Sequence, residues 1–216
     1  MIEEMSAFFA ARVEGYDEHM LTDVVGCREG YARLAQALPA DARDVLDLGC
    51  GTGLELDALF ARFPDLRVTG IDMTEEMLRA LREKHPHKAL RLIRGDYFAC
   101  DFGRGAFDAV VSFESLHHFP RAQKLGLYRR IFAALRPGGA FCNGDYMVET
   151  EEEEEALARE AARLRAEARV PEGVFVHLDT PLAIAAEEAL LRQAGFSNVE
   201  RLLREGNTTL LRAERD

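Results

Sequence analysis

Residues 45–55 read Val-Leu-Asp-Leu-Gly-Cys-Gly-Thr-Gly-Leu-Glu, and this stretch decides the fold. The apolar run Asp44 to Leu48 reads as a short buried strand. It enters a loop with glycine at 49, 51 and 53. An amphipathic helix follows from Leu54 to Phe63 and is ended by Pro64. The glycines let the backbone come close to a ligand, and the helix N-terminus offers free N–H groups. Asp72 ends the next strand, where a carboxylate can grip two ribose hydroxyls at once.

The pattern repeats outward from this unit. Leu66 to Ile71 reads as a strand, and Thr74 to Lys84 as a helix with Thr74 as N-cap and Met77, Leu78 and Leu81 facing inward. Leu90 to Arg94 and Phe107 to Phe113 read as strands. A helix over Arg121 to Leu135 is closed by the breaker Arg136-Pro137-Gly138-Gly139, and Ala140 to Met147 follows as a strand. Strands alternating with helices predict an α/β fold, a parallel sheet with helices on both faces and the ligand crevice at the carboxyl ends of the strands. Glu151 to Arg169 predicts a charged helix facing inward through Leu157, Ala161, Leu164 and Ala168. Pro181 to Ala194 predicts another, with proline at its first position. Asn198 to Leu203 and Thr208 to Arg212 read as a closing hairpin with its turn at Arg204 to Asn207. Before the first strand, Phe8, Phe9 and Val13 mark one helix. Tyr31, Leu34, Ala35 and Leu38 mark a second, stopped by Pro39.

The chain has 216 residues, which predicts one domain with a full core. Its net charge of −11 weighs against a grip on phosphate backbones. Six of those charges sit at Glu149 and Glu151 to Glu155, where acids suit a helix start. The 24 Arg against three Lys reads as composition bias rather than a guanidinium site. The acidic start lacks the charge pattern of a secretion signal, and no apolar run approaches a membrane span. A cytoplasmic protein is expected. Cys27, Cys50, Cys100 and Cys142 are widely spaced, as in a reducing compartment.

Two details refine the ligand. A third fingerprint glycine would fall at 54, which is Leu54. Asp47 stands where a pyrophosphate would lie, and two anions at close range repel. A carboxylate there suits a ligand with an ammonium group.

With these motifs in register, the chain resembles the class I S-adenosylmethionine-dependent methyltransferases, from about Tyr16 onward. VLDLGCGTG resembles that family's first motif and VTGIDMTEEML (68–78) its second, with Asp72 as the ribose-binding acid. GDY (95–97) resembles the adenine-binding turn, with Asp96 near the exocyclic amine. FDAVVSFESLHHF (107–119) and LRPGGAF (135–141) resemble the fourth motif and the entry to the fifth strand. The resemblance implies a Rossmann-like, doubly wound, seven-stranded mixed sheet whose last strand is antiparallel. It implies an N-terminal helical cap over 1–40, a binding domain over 41–216 and a helical lid at about 149–180. Tyr16-Asp17 resembles a tyrosine of such caps. The implied cofactor is S-adenosyl-L-methionine, contacted by Asp47, Gly49, Cys50, Gly51, Gly53, Asp72, Met73, Asp96, Tyr97, Ser112, Phe113 and Tyr16.

Methyl transfer is an in-line displacement that needs alignment and exclusion of water, with a base only where the acceptor must lose a proton. The candidates follow the fourth strand: Glu114, His117 and His118, with Asp145 and Tyr146 behind them. No metal is expected, because His85, His87 and His177 lie in other segments than His117-His118. Phe8, Phe9, Phe175, Val176 and His177 suggest a partly apolar acceptor pocket. A small-molecule acceptor is the leading expectation, on a monomer or homodimer. An RNA-modifying methyl or carboxymethyl transferase is the alternative, and a non-catalytic binding protein another. An NAD-dependent oxidoreductase is disfavoured by Leu54 and Asp47.

Overall fold

The computed structural model describes residues 2–216. Its centre is a seven-stranded sheet in the order β3-β2-β1-β4-β5-β7-β6. The strands are β1 (Asp44–Leu48), β2 (Arg67–Asp72), β3 (Ala89–Arg94), β4 (Phe107–Phe113), β5 (Leu135–Tyr146), β6 (Ser197–Glu205) and β7 (Thr208–Glu214). β1 to β5 pair in parallel, and β7 runs antiparallel between β5 and β6. The mixed sheet with one antiparallel strand is the expected architecture. Ala109 to Phe113 of β4 are all buried, as a central parallel strand covered on both faces requires.

The helices are α1 (Met5–Ala10), α2 (Tyr16–Thr22), α3 (Cys27–Ala37), α4 (Leu54–Arg62), α5 (Glu75–Lys84), α6 (Arg121–Ala134), α7 (Glu151–Glu167) and α8 (Ile184–Ala194). Side chains alternate across the sheet, so β1 sends Leu46 and Leu48 to one face and Val45 to the other. Leu127, Tyr128 and Ile131 of α6 and Leu190 and Leu191 of α8 cover the first face. Leu34 of α3, Leu56 and Leu59 of α4 and Leu78 and Leu81 of α5 cover the second. Of the segment before β1, α3 packs on α4 and the sheet, while α1 and α2 lie at the carboxyl ends of the strands.

Several elements differ from the sequence reading. Three helices precede β1 instead of two, and Val13 lies outside all of them. Gly15 and Gly26, both left-handed, are the N-caps of α2 and α3. β5 begins at Leu135, directly after α6. The Pro-Gly-Gly sequence is a bulge between the pairs Phe107–Leu135 and Ala109–Ala140. α7 is largely exposed. Ala161 is its buried residue and Ala168 is exposed. Thr150 and Glu153 close a capping box at its start. Pro181 does not start α8, because Leu182 and Ile184 bond the backbone of Val148 as a short parallel bridge, which holds this segment extended. The hairpin turn tightens to Gly206-Asn207. No helix among the described residues is long and apolar enough to cross a membrane.

Candidate active site

The strand order reverses between β1 and β4, and a cavity opens at their carboxyl ends. Gly49 and Gly51 form its floor, and Asp72 and Met73 stand after β2. Asp96 and Tyr97 follow β3, and Glu114, Ser115 and His118 follow β4. Met5, Phe9 and Tyr16 close it from the N-terminal helices.

Asp72 is fixed by backbone donors. Gly51 N–H bonds its Oδ2 at 3.0 Å and Thr74 N–H its Oδ1 at 2.8 Å. Asp72 lines the cavity, and a carboxylate oxygen that accepts one such bond can accept a second. Within the glycine loop itself, four N–H groups are engaged. Gly49 and Cys50 both donate to the Ile71 carbonyl, Gly51 to Asp72 and Gly53 to the Cys50 carbonyl. The loop therefore provides close approach and little anion binding. Gly49 has φ +75, and the Ser115 side chain fills the place a Cβ would need.

Behind the loop lies a buried acid pair. Asp47 is fully buried and neither carboxylate oxygen has a hydrogen-bond partner. Glu55, on the first turn of α4, is also buried. Burial pushes Glu55 up to about 7, and burial together with the Glu55 charge pushes Asp47 well above the usual carboxylate range. Lys84 of α5 partly offsets the charge on Glu55, and a further positive charge near the pair would favour both carboxylates.

The far end of the cavity joins a larger one. Glu114 and His118 line both; His117, Tyr146, His177 and Asp179 line only the larger. Glu114 sits at φ +47, rare for a residue with a side chain, and accepts from the Thr208 hydroxyl at 3.0 Å. Burial raises its carboxyl to about 7. His117 Nδ1 meets Asp145 Oδ1 at 2.7 Å. Burial disfavours charge on that ring, but Asp145, Glu114 and Asp179 outweigh it and lift His117 to about 9. Burial and the charge on His117 press His118 down to about 4.

Residues 45–139 match the family model described as a methyltransferase domain. The solved structure of the S-adenosylmethionine-dependent methyltransferase SibL, in its apo form, superposes with a TM-score of 0.64 and 25% identity, covering 87% of this chain and 55% of that one. Residues 45–139 thus match a methyltransferase domain, on a fold shared with a solved S-adenosylmethionine-dependent methyltransferase. Sterol 24-C-methyltransferase of Aspergillus fumigatus is 33% identical over 129 residues, 57% of this chain and 30% of the relative. Trans-aconitate 2-methyltransferase of Paracidovorax citrulli is 38% identical over 113 residues, 52% and 42% of the two chains. The chain thus spans well under half the length of these curated relatives.

Within the methyltransferase domain, the expected contacts divide. Gly49, Gly51, Asp72, Met73, Asp96, Tyr97 and Tyr16 meet on the cavity wall. Asp47, Cys50, Gly53, Ser112 and Phe113 do not line it. Cys50 packs over Gly70, and Gly53 lies beneath Leu81. Ser112 donates to the Leu48 carbonyl, and Phe113 packs on Tyr31 between Gly30 and Gly144. Ser112 and Phe113 face away because strand alternation turns neither into the crevice, which begins at Glu114. Of the expected acceptor residues, Phe8, Phe9 and His177 line the larger cavity, while Phe175 and Val176 line a third one beside α7. Sequence reasoning missed Glu55, Ser115 and Asp179. Glu55 stands in the deciding stretch, and its signal is an acid on the inner face of an amphipathic helix. Nothing in the sequence marks Asp179.

Proposed function

We propose that this domain transfers a methyl group from S-adenosylmethionine to a small-molecule acceptor. One observation carries the reading: the buried Asp47 carboxylate, without a geometric hydrogen-bond partner, lies with Glu55 behind a glycine loop most of whose own N–H groups are engaged. A pyrophosphate would find few donors and a repelling charge there. An ammonium group would find its counter-charge. Asp72 keeps lone pairs for two ribose hydroxyls, and Asp96 and Tyr97 are placed for the adenine. When bound, S-adenosylmethionine supplies a methyl carbon already activated by its sulfonium charge.

The chain's part is alignment and shielding. Glu114 lies where the two cavities meet, so its carboxylate can take a proton from an acceptor that must lose one. His117 and His118 stand on the acceptor side and position the acceptor. Residues 149–180, with α1 and α2, form the lid. The small-molecule class is supported by relatives named for sterol and trans-aconitate methylation and by the net charge of −11.

Calorimetry with S-adenosylhomocysteine tests this. One molecule should bind per chain, and Asp72→Ala should weaken binding about 100-fold, the worth of two hydrogen bonds at a buried site. Binding of NADH with no response to the S-adenosyl ligand would overturn the proposal.

A further inference from the structure

The larger cavity contains a donor set that the methyl-transfer reading leaves unexplained. A single 3-10 turn, Leu116–His118, places two imidazoles side by side with ring centroids 3.9 Å apart. The segment after α7 returns to this turn, where Thr180 N–H bonds the His117 carbonyl at 2.8 Å. That clamp brings Asp179 to both rings. Asp179 Oδ1 lies 3.2 Å from His118 Nδ1 and 3.6 Å from His117 Nε2. The second distance is too long for a hydrogen bond, and His118 Nδ1 is buried with no aligned partner although its side chain is only 5% exposed.

These separations have another meaning. Zinc–ligand bonds of about 2.0–2.2 Å set the edges of a coordination tetrahedron at roughly 3.3–3.6 Å. The two edges that meet at Asp179 Oδ1 therefore stand near that spacing, and all three atoms lie within 4.8 Å of one another. The surroundings agree. His117 turns its other nitrogen, Nδ1, to Asp145 at 2.7 Å, the carboxylate–histidine arrangement that fixes a metal-bound ring and directs its free lone pair. Asp145 is fully buried with Oδ2 unpartnered, and Glu114 Oε2 lies 3.6 Å from the same ring. Three carboxylates thus surround two imidazoles, an excess of negative charge that a divalent cation offsets. His117, His118 and Asp179 all line the larger cavity, which leaves space beside them for a further ligand.

We propose that His117 Nε2, His118 Nδ1 and Asp179 Oδ1 form a divalent metal site of zinc type, with its open position holding an oxygen of the acceptor. The acceptor is then a hydroxyl or carboxylate compound. That second part rests on the methyl-transfer reading, but the metal site itself does not. Adjacency of two histidines in the sequence argues against a site on its own. The fold supplies the third ligand from a segment 61 residues further on.

The test uses tag-free protein dialysed with Zn2+ and then against metal-free buffer, with metal counted by mass spectrometry. Wild type should retain about one zinc per chain, and Asp179→Asn less than about a tenth as much, since a three-ligand site loses a ligand. Asp179 is 43% exposed at its side chain, so this variant should fold normally. Asp145→Asn should weaken zinc affinity about 10–100-fold through His117. Cobalt(II) in place of zinc should give the strong visible bands of a four- or five-coordinate site. Wild type retaining less than a tenth of an equivalent, or variants retaining as much as wild type, overturns the proposal. S-adenosylhomocysteine binding on the same samples reads the methyl-transfer proposal separately: zinc bound without that ligand sinks one reading, and the ligand bound without zinc sinks the other.

Discussion

Asp47 and Glu55 share a dry pocket, and the sign of their effect on stability follows from burial. The folded-state pKa of Glu55 is raised from 4.5 to about 7. Between those values the folded chain holds more protons than the unfolded one, so stability falls as pH rises through that window, and the full cost is present above it. The cost is on the order of 3 kcal/mol, or roughly 6–12 °C in melting temperature for a chain of this size. Thermal melts across pH 4.5–7.5 should therefore show Glu55→Gln losing less stability on the way up than wild type. Parallel curves for the two proteins would contradict this. At this scale the sequence marked the charges well and the contacts less well. Asp72 stands on the cavity wall, as its register with the glycines suggests, while Asp47 lies behind the loop and off that wall. Ser112 and Phe113 were misplaced by one or two residues, because the strand ends only at Phe113. Asp179 was invisible, since a loop residue's partners are set by the tertiary path.

Among the elements, α2 reaches the domain through Asp17. Its carboxylate accepts from the Thr52 hydroxyl of the glycine loop and from Lys84 Nζ of α5 at 2.6 Å. One side chain thus ties α2, whose Tyr16 lines the cavity, to the glycine loop on the cavity's other side. Such partly exposed pairs are worth about 1 kcal/mol. Asp17→Asn should therefore speed dissociation of S-adenosylhomocysteine about fivefold, with association and melting temperature little changed. Stopped-flow measurement of both rates decides it, and an unchanged dissociation rate would show that α2 does not hold the ligand in. Helices and strands with strong periodicity, such as α5 and β4, were readable to within a residue. Those at Arg136–Gly139 and Pro181 were not. Local breaker signals were overridden there by sheet pairing, which tolerates a bulge in one case and captures the backbone with Val148 in the other.

Across the whole molecule, the two helices on one face are joined by a buried charge. Lys124 of α6, 1% exposed, lies 3.2 Å from Glu187 of α8, which is fully buried and also accepts from the Tyr128 hydroxyl. Lys124→Met would leave Glu187 buried without a cation and should cost about 3–5 kcal/mol in urea unfolding. Adding Glu187→Gln should recover most of that, and equal losses in the single and double variants would refute the account. The alternation of strands and helices was enough to foresee a parallel sheet covered on both sides. The antiparallel last strand was foreseen through the family resemblance, but its seating between β5 and β6 was not, because a hairpin sequence does not say which of its strands meets the sheet.

That seating has a consequence for biosynthesis. β5 is complete at Tyr146, but its neighbour in the sheet ends at Glu214, 68 residues later. At about 5–20 residues per second, the edge of β5 stays unpaired on the ribosome for roughly 3–14 s. During that interval a buried strand carrying Phe141 and Cys142 presents open hydrogen-bonding groups, which is a template for mispairing. Slowing translation between residues 147 and 214 should therefore lower the soluble yield of a chain whose finished fold is unchanged.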